Sequence, residues 1–473
     1  MSTTLTSGQK AIFRGALKKV TMESINPATN QPINTYTSHS PAQVREILTA
    51  VNAAWLSWKK TTFAKRAERM RAAADLLLAE RDECAGLITA EMGKPITEAR
   101  AEVEKCALAC RYFAQHAEGL LRDEPVKTAY TRSFVTFEPL GVILAIMPWN
   151  FPFWQVWRFI APGLMAGNAG VLKHASGVCG CALKIEALVR RAGFPENLFR
   201  SLLIPATEVQ AVIEHPLVKG VTLTGSEGAG SRVAEIAGQA LKKTVLELGG
   251  SDPFIVLEDA DLDACVRTAV KSRCLNAGQV CISAKRFIVA KAVAKAFLDS
   301  MAAAMKALVI GDPMDEGTQM GPLARPDLLD DLHAQVTASV AQGARLILGG
   351  HRLDRPGNYY APTLLADVTP RMPVFVQETF GPVAAVLTVK NEQEAVALAN
   401  DTAFGLGASV WTGDQAQGES LARAIESGMV FVNSMTASHP ELPFGGVKRS
   451  GFGRELSAYG IKEFVNIKTI CLK

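Results

Sequence analysis

The chain has 473 residues, enough for about three domains at roughly 150 residues each. With 48% apolar and 20% charged residues it reads as an ordinary soluble globular protein, which excludes a disordered, collagenous or coiled-coil main architecture. Fifty Lys plus Arg against 46 Asp plus Glu leave a net charge of +4, too balanced for a nucleic-acid footprint, which needs clustered excess basic residues.

Residues 1–22 contain no acid, several Ser and Thr, and Lys10, Arg14, Lys18 and Lys19. That loosely fits an organellar transit peptide, but a single Arg and no apolar core favour a plain frayed tail over 1–23. Residues 41–118 read as helices, with Val44, Ile47, Leu48 and Val51 on one face and Met92-Gly93-Lys94-Pro95 as punctuation. Cys106 and Cys110 within them read as buried small apolar side chains. Nine cysteines are no dense disulfide framework, and Cys179 and Cys181 stand too close together, with too few His nearby, for a zinc ribbon. No metal site is expected, and reduced thiols point to the cytoplasm.

Residues 128–138 turn β-branched and aromatic and predict extended strands. The most apolar stretch, 140–172, is interrupted by Pro148, Asn150, Pro152, Arg158, Pro162 and Asn168. A membrane-spanning helix needs about 20 uninterrupted apolar residues, so this stretch predicts a buried parallel strand over 141–147 followed by a loop. Further strands are predicted at 170–173, 218–224 and 243–248, alternating with helices at 183–192 (closed by Gly193) and 232–240. A second series follows at 254–257, 286–289, 346–348 and 383–389, and the chain ends in a strand-like segment, 465–472. Strands alternating with helices predict an α/β protein with parallel sheets.

Four local patterns carry chemistry. Thr224-Gly225-Ser226-Glu227-Gly228 follows a strand and opens a helix, which suits either an anionic diphosphate or a simple tight turn and N-cap. In Asn276-Ala277-Gly278-Gln279-Val280-Cys281 the polar and glycine neighbours suggest a reachable thiol, as against a core one. In Leu246-Glu247-Leu248-Gly249-Gly250 the carboxylate at a strand end is either a satisfied buried acid or a general base with a raised pKa. In Pro148-Trp149-Asn150-Phe151-Pro152 two prolines fix a loop from which Asn150 presents its amide, as an oxyanion donor or as a structural loop amide.

Together with Glu378-Thr379-Phe380-Gly381-Pro382 and Pro443-Phe444-Gly445-Gly446-Val447-Lys448-Arg449-Ser450-Gly451, these segments resemble the NAD(P)-dependent aldehyde dehydrogenases over nearly the whole chain. Gly249-Gly250-Ser251-Asp252-Pro253-Phe254 and Leu172-Lys173-His174-Ala175 resemble the bacterial succinate-semialdehyde dehydrogenase branch. The resemblance implies a Rossmann-like cofactor domain (24–122 and 140–248), an α/β catalytic domain (249–440) and a β oligomerisation arm (123–139 and 455–473), in a homodimer or homotetramer. It implies Cys281 as nucleophile, Asn150 and the Cys281 N–H as oxyanion donors, and Glu247 as the base that activates the hydrolytic water. Lys173 and Ser176 would face the adenosine ribose, Gly225 and Ser226 the diphosphate, Glu378 the nicotinamide ribose, and Phe380 the nicotinamide, with Trp149 lining the cleft. The implied reaction takes succinate semialdehyde, or another small aldehyde, to the carboxylate.

Ser176 stands where NAD-specific relatives commonly carry a Glu. Losing that carboxylate removes repulsion against a 2′-phosphate, so either NAD or NADP is the expected cofactor, with NADP plausible. Some relatives place an Arg six residues before the nucleophile, where this chain has Leu275. Arg158 matches an anchoring Arg for the substrate carboxylate, and Ser438 a serine of the substrate loop. Arg158 among Phe153, Trp154, Val156, Trp157 and Phe159 needs an anionic partner, either the substrate or a protein carboxylate at a subunit contact. Glu247 argues against CoA-dependent acylation, and Cys281 with its surroundings against a non-catalytic structural protein. A cysteine hydrolase would need a His partner, and His174 has none in view.

Overall fold

A computed structural model describes residues 21–473. The tail expected over 1–23 therefore lies outside the described residues, except that its last three open the strand Thr21–Asn26. This strand, in which Met22 and Ser24 are buried, pairs antiparallel with the largely exposed, polar Gln31–Thr37, whose sequence has no apolar alternation to announce it.

Four helices follow: Pro41–Trp58, Phe63–Ala79, Arg81–Met92 and Ile96–Leu120. Ser40 and Gln43 form a reciprocal capping box at the first, and Gly93 ends the third in the left-handed conformation at φ 84°. Cys106 and Cys110 are buried in the last, as expected of free cysteines in an amphipathic helix.

The chain then builds a parallel sheet in the order Lys243–Glu247, Val218–Thr224, Val142–Met147, Ala169–His174, Phe199–Ser201. The first-built strand, Val142–Met147, lies in the middle, and the connections run outward from it in opposite directions. At such a reversal the loops leaving two neighbouring strand ends diverge and leave a crevice. Here the two strand ends are Met147 and Thr224.

The loop expected after residue 147 is short. It leads into the helix Trp154–Met165, in which every residue is buried and Pro162 is tolerated. A helix apolar all round has no periodic stripe, so its sequence resembles a loop-broken strand. Two other helices begin earlier than predicted, as Cys179–Arg191 and Glu227–Gln239.

A second sheet has the order Arg345–Leu348, Thr363–Ala366, Val383–Val389, Ala284–Ala290, Asp252–Val256, Gly407–Trp411, Met429–Val432, parallel apart from its first pair. Glu124–Pro125, Arg132–Pro139 and Val465–Leu472 form a separate antiparallel sheet, so only the second half of 128–138 is extended. Among the described residues no helix is long and apolar enough to cross a membrane.

After the second sheet the chain returns to the first. Gly451–Phe452 pairs antiparallel with Lys243–Glu247, setting Gly451 opposite Glu247. Gly451 has φ +114°, and a Cβ there would sit 1.9 Å from the Leu246 carbonyl oxygen. Gly451→Ala should therefore displace this edge from the strand that carries Glu247, at a cost of about 2 kcal/mol or more. Urea unfolding checks it; a variant as stable as the parent would show that the edge is dispensable.

Candidate active site

Two cavities meet at Cys281. The first, of about 390 Å³, occupies the crevice between the diverging strands and is lined by Trp149, Asn150, Gly225, Ser226, Glu378 and Phe380 as well as Cys281. The second, of about 120 Å³, is lined by Cys281, Arg158, Lys105, Ser438, Leu275 and Phe444 among others. Eight of the residues singled out from sequence thus line the first or second cavity beside the thiol. Lys173 and Ser176 line neither: Lys173 is buried near the end of the strand Ala169–His174, and Ser176 begins an exposed turn just beyond it.

The thiol's turn is held from several sides. Asn276 and Ala277 are both left-handed, at φ 51° and 52°, and Gly278 follows at φ +76°. A Cβ at Gly278 would lie 2.3 Å from the Gly381 carbonyl oxygen, so glycine is required by space as well as by backbone angle. Arg273 donates to the carbonyls of Gly278 and Ala284 at 2.6 and 3.1 Å. Lys285 donates to the Cys281 carbonyl at 2.7 Å and pairs with Glu378 at 3.1 Å, tying the backbone of Cys281 to a residue of the first cavity. Burial pushes the half-buried Cys281 thiol up to about 11, against the opposing charges of Arg158 and Lys285.

Asn150 donates one amide hydrogen to the Gln279 carbonyl at 2.9 Å and accepts from Gln155 at 2.9 Å. Because the amide has two hydrogens, the second remains for another acceptor. Asn276 in turn donates to the Asn150 carbonyl at 2.9 Å.

Glu247 is 2% exposed and neither carboxyl oxygen has a hydrogen-bond partner, which removes the reading of a satisfied structural acid. Burial, reinforced by the neighbouring Glu455, raises its pKa well above the usual carboxylate range, and Arg158 and Arg454 oppose this. It lines neither cavity, and its Oε1 lies against Gly445.

Arg158 does not stand free. Its guanidinium is ion-paired with Glu455 of the same chain, donates to Thr224 Oγ1 at 3.2 Å, and lies over the Phe444 ring at 4.4 Å. The expected anionic partner is thus a protein carboxylate, and it comes from the chain's own C-terminal segment, where a subunit contact had been the alternative to substrate. Sequence reasoning missed Glu455, Lys285 and Lys105; each reaches the site from a segment whose proximity only tertiary packing creates.

His174 is fully committed to structure. Its Nε2 meets the Pro152 carbonyl at 2.9 Å, its Nδ1 accepts from Ala175 N at 3.0 Å, and burial lowers its pKa to about 4.

The model of the aldehyde dehydrogenase family matches residues 14–470. The chain is 54% identical to the probable succinate-semialdehyde dehydrogenase [NADP(+)] of Synechocystis sp., over 94% of this chain and 98% of that one. It is 50% identical to the succinate-semialdehyde dehydrogenase [NADP(+)] of Mycolicibacterium paratuberculosis, over 94% and 96%. Among solved structures, succinic semialdehyde dehydrogenase from Streptococcus pyogenes in complex with NADP+ superposes with a TM-score of 0.94 at 40% identity, covering 95% of this chain and 99% of that one.

The raised thiol pKa has a direct readout. In the free protein, alkylation of Cys281 by iodoacetamide, followed by mass spectrometry of its peptide, should rise about tenfold per pH unit from pH 7 to 10. A plateau reached near pH 8 would mean the thiolate is stabilised in the free protein.

Proposed function

The chain belongs to the aldehyde dehydrogenase family, and on that premise we propose that it oxidises succinate semialdehyde to succinate with NADP+. The observation that carries this reading is the position of Cys281 where a crevice at the strand reversal meets a second, cation-containing cavity.

The first cavity suits a dinucleotide. Gly225 lines it and a Cβ there would meet nothing nearer than Leu223 at 3.5 Å, so its bareness serves space outside the protein fold. Ser226 caps the helix Glu227–Gln239, which turns its N-terminal end toward a diphosphate. Lys173 and Ser176 would hold the adenosine ribose and its 2′-phosphate, Glu378 the other ribose, and Phe380, edge-on to Trp149 at 5.8 Å, the nicotinamide face. When bound, the dinucleotide supplies the hydride acceptor.

Cys281 first gives up its thiol proton to solvent; Sγ then adds to the aldehyde carbon, and the carbonyl oxygen becomes an oxyanion held by the free Asn150 amide hydrogen and the Cys281 N–H. Loss of hydride from that carbon leaves Cys281 as a thioester. Glu247, once its own proton has left to solvent, then takes a proton from the attacking water and passes it to the departing sulfur, so that the carboxylic acid leaves and the thiol is restored. Glu247 must rotate from Gly445 toward Cys281 to do so, and with no hydrogen bond to break the turn is inexpensive. The antiparallel sheet of Arg132–Pro139 and Val465–Leu472, with Ile467 60% exposed, would join subunits into a dimer or tetramer.

Steady-state reduction of NADP+ and NAD+ with succinate semialdehyde and with butanal tests the reading; no preference for the charged aldehyde would overturn the substrate. Glu247→Gln should leave a rapid burst of reduced cofactor in stopped flow and slow the turnover that follows, whereas equal slowing of both phases would remove Glu247 as the hydrolytic base. Ser176→Glu should lower kcat/KM for NADP+ by roughly ten- to a hundredfold, because a carboxylate repels the 2′-phosphate and loses a charge-assisted contact. Unchanged NADP+ kinetics would mean that Ser176 does not face that phosphate.

A further inference from the structure

We propose that Lys105, held by Ser438, is the cation that selects aldehydes bearing a distal carboxylate. The inference rests on the reading of Cys281 as the nucleophile for such a substrate, and adds to it the residue that recognises the far end. Lys105 projects from the helix Ile96–Leu120 into the same cavity that Cys281 lines. Its Nζ donates to Ser438 Oγ at 2.7 Å and lies 4.5 Å from the centre of the Trp154 ring.

The charge balance of that cavity decides between its two cations. Arg158 already has a protein carboxylate partner in Glu455. Glu102, three residues before Lys105 on the same helix, is ion-paired with Lys94 and accepts from the N–H groups of Phe153 and Trp154, so it is committed elsewhere. Among the described residues lining the cavity, Lys105 is the one cationic group without a carboxylate partner. A mostly buried ammonium with only a hydroxyl and a ring for company is costly unless an anion arrives. Burial, with Arg158 nearby, lowers its pKa to about 8, which leaves it charged at neutral pH. Phe151, Leu275, Val280, Ile282 and Phe444 line part of the cavity with apolar surface that suits the methylenes between aldehyde and carboxylate, alongside polar Gln155, Ser272, Ser283 and Thr436.

The test compares Lys105→Met and Lys105→Arg with the parent, using succinate semialdehyde and butanal, and measures inhibition of butanal oxidation by succinate. For Lys105→Met the ratio of kcat/KM for the charged aldehyde to that for butanal should fall roughly ten- to a hundredfold, the range of a charge-assisted contact. The loss should appear mainly in KM, succinate should inhibit correspondingly less, and Lys105→Arg should recover part of both. An equal fall for both aldehydes, through kcat, would assign Lys105 to the thiol and overturn the proposal, as would an unchanged ratio. Should Lys105→Met be unstable in thermal melts, Ser438→Ala, which frees the ammonium without removing it, should shift the same ratio in the same direction by a smaller factor; an unchanged ratio there overturns the proposal. A parent enzyme that shows no preference for succinate semialdehyde would fail the functional reading itself, and is thereby distinguished from a failure at Lys105.

Discussion

Two side-chain amides lock the turns of the two large sheets together. Asn150, from the loop that ends the central strand of the first sheet, donates to the Gln279 carbonyl, and Asn276, from the turn before the second sheet's Ala284–Ala290 strand, donates back to the Asn150 carbonyl. Both residues are buried, so neither bond is diluted by competition with water. The thiol of Cys281 and the amide of Asn150 come from chain segments separated by more than a hundred residues, and this reciprocal pair of short asparagine side chains, each bonded to backbone, sets their relation.

The rest of the site is arranged around that lock by buried charge. Lys285 ties the Cys281 carbonyl to Glu378, and Arg273 ties the same turn to its following strand. On the other side, Arg158 and Arg454 face the acids Glu455 and Glu247. Arg158 pairs directly with Glu455, leaving Glu247 unpaired and its proton tightly bound. Both oxygens of the Glu247 carboxyl group are thereby left without a hydrogen bond.

The parts of this arrangement that were legible in the sequence are those written locally. Val142–Met147 and Val383–Val389 are continuous apolar runs of strand length, and their burial follows directly. Trp149, Asn150, Ser226, Cys281 and Phe380 sit in short turns marked by glycine or proline, and all five line the first cavity. Short edge strands such as Phe199–Ser201, and strands of modest length such as Thr363–Ala366 and Met429–Val432, carry too few residues for a pattern to emerge. Lys105 lies on a helix with one apolar face, and its charge reads as part of the solvated side. Only the segment around Ser438 packing onto that helix turns it inward.

The high pKa of Cys281 has a bearing on durability as well as on catalysis. Peroxide attacks thiolate far faster than thiol, and the first product, a sulfenic acid, leads on to irreversible forms. With its pKa pushed up to about 11 by burial, Cys281 stays a neutral thiol in the free protein near neutral pH. Seven of the other cysteines are fully buried. The free protein thus keeps the sulfur at the junction of its two cavities in the form that oxidants attack most slowly.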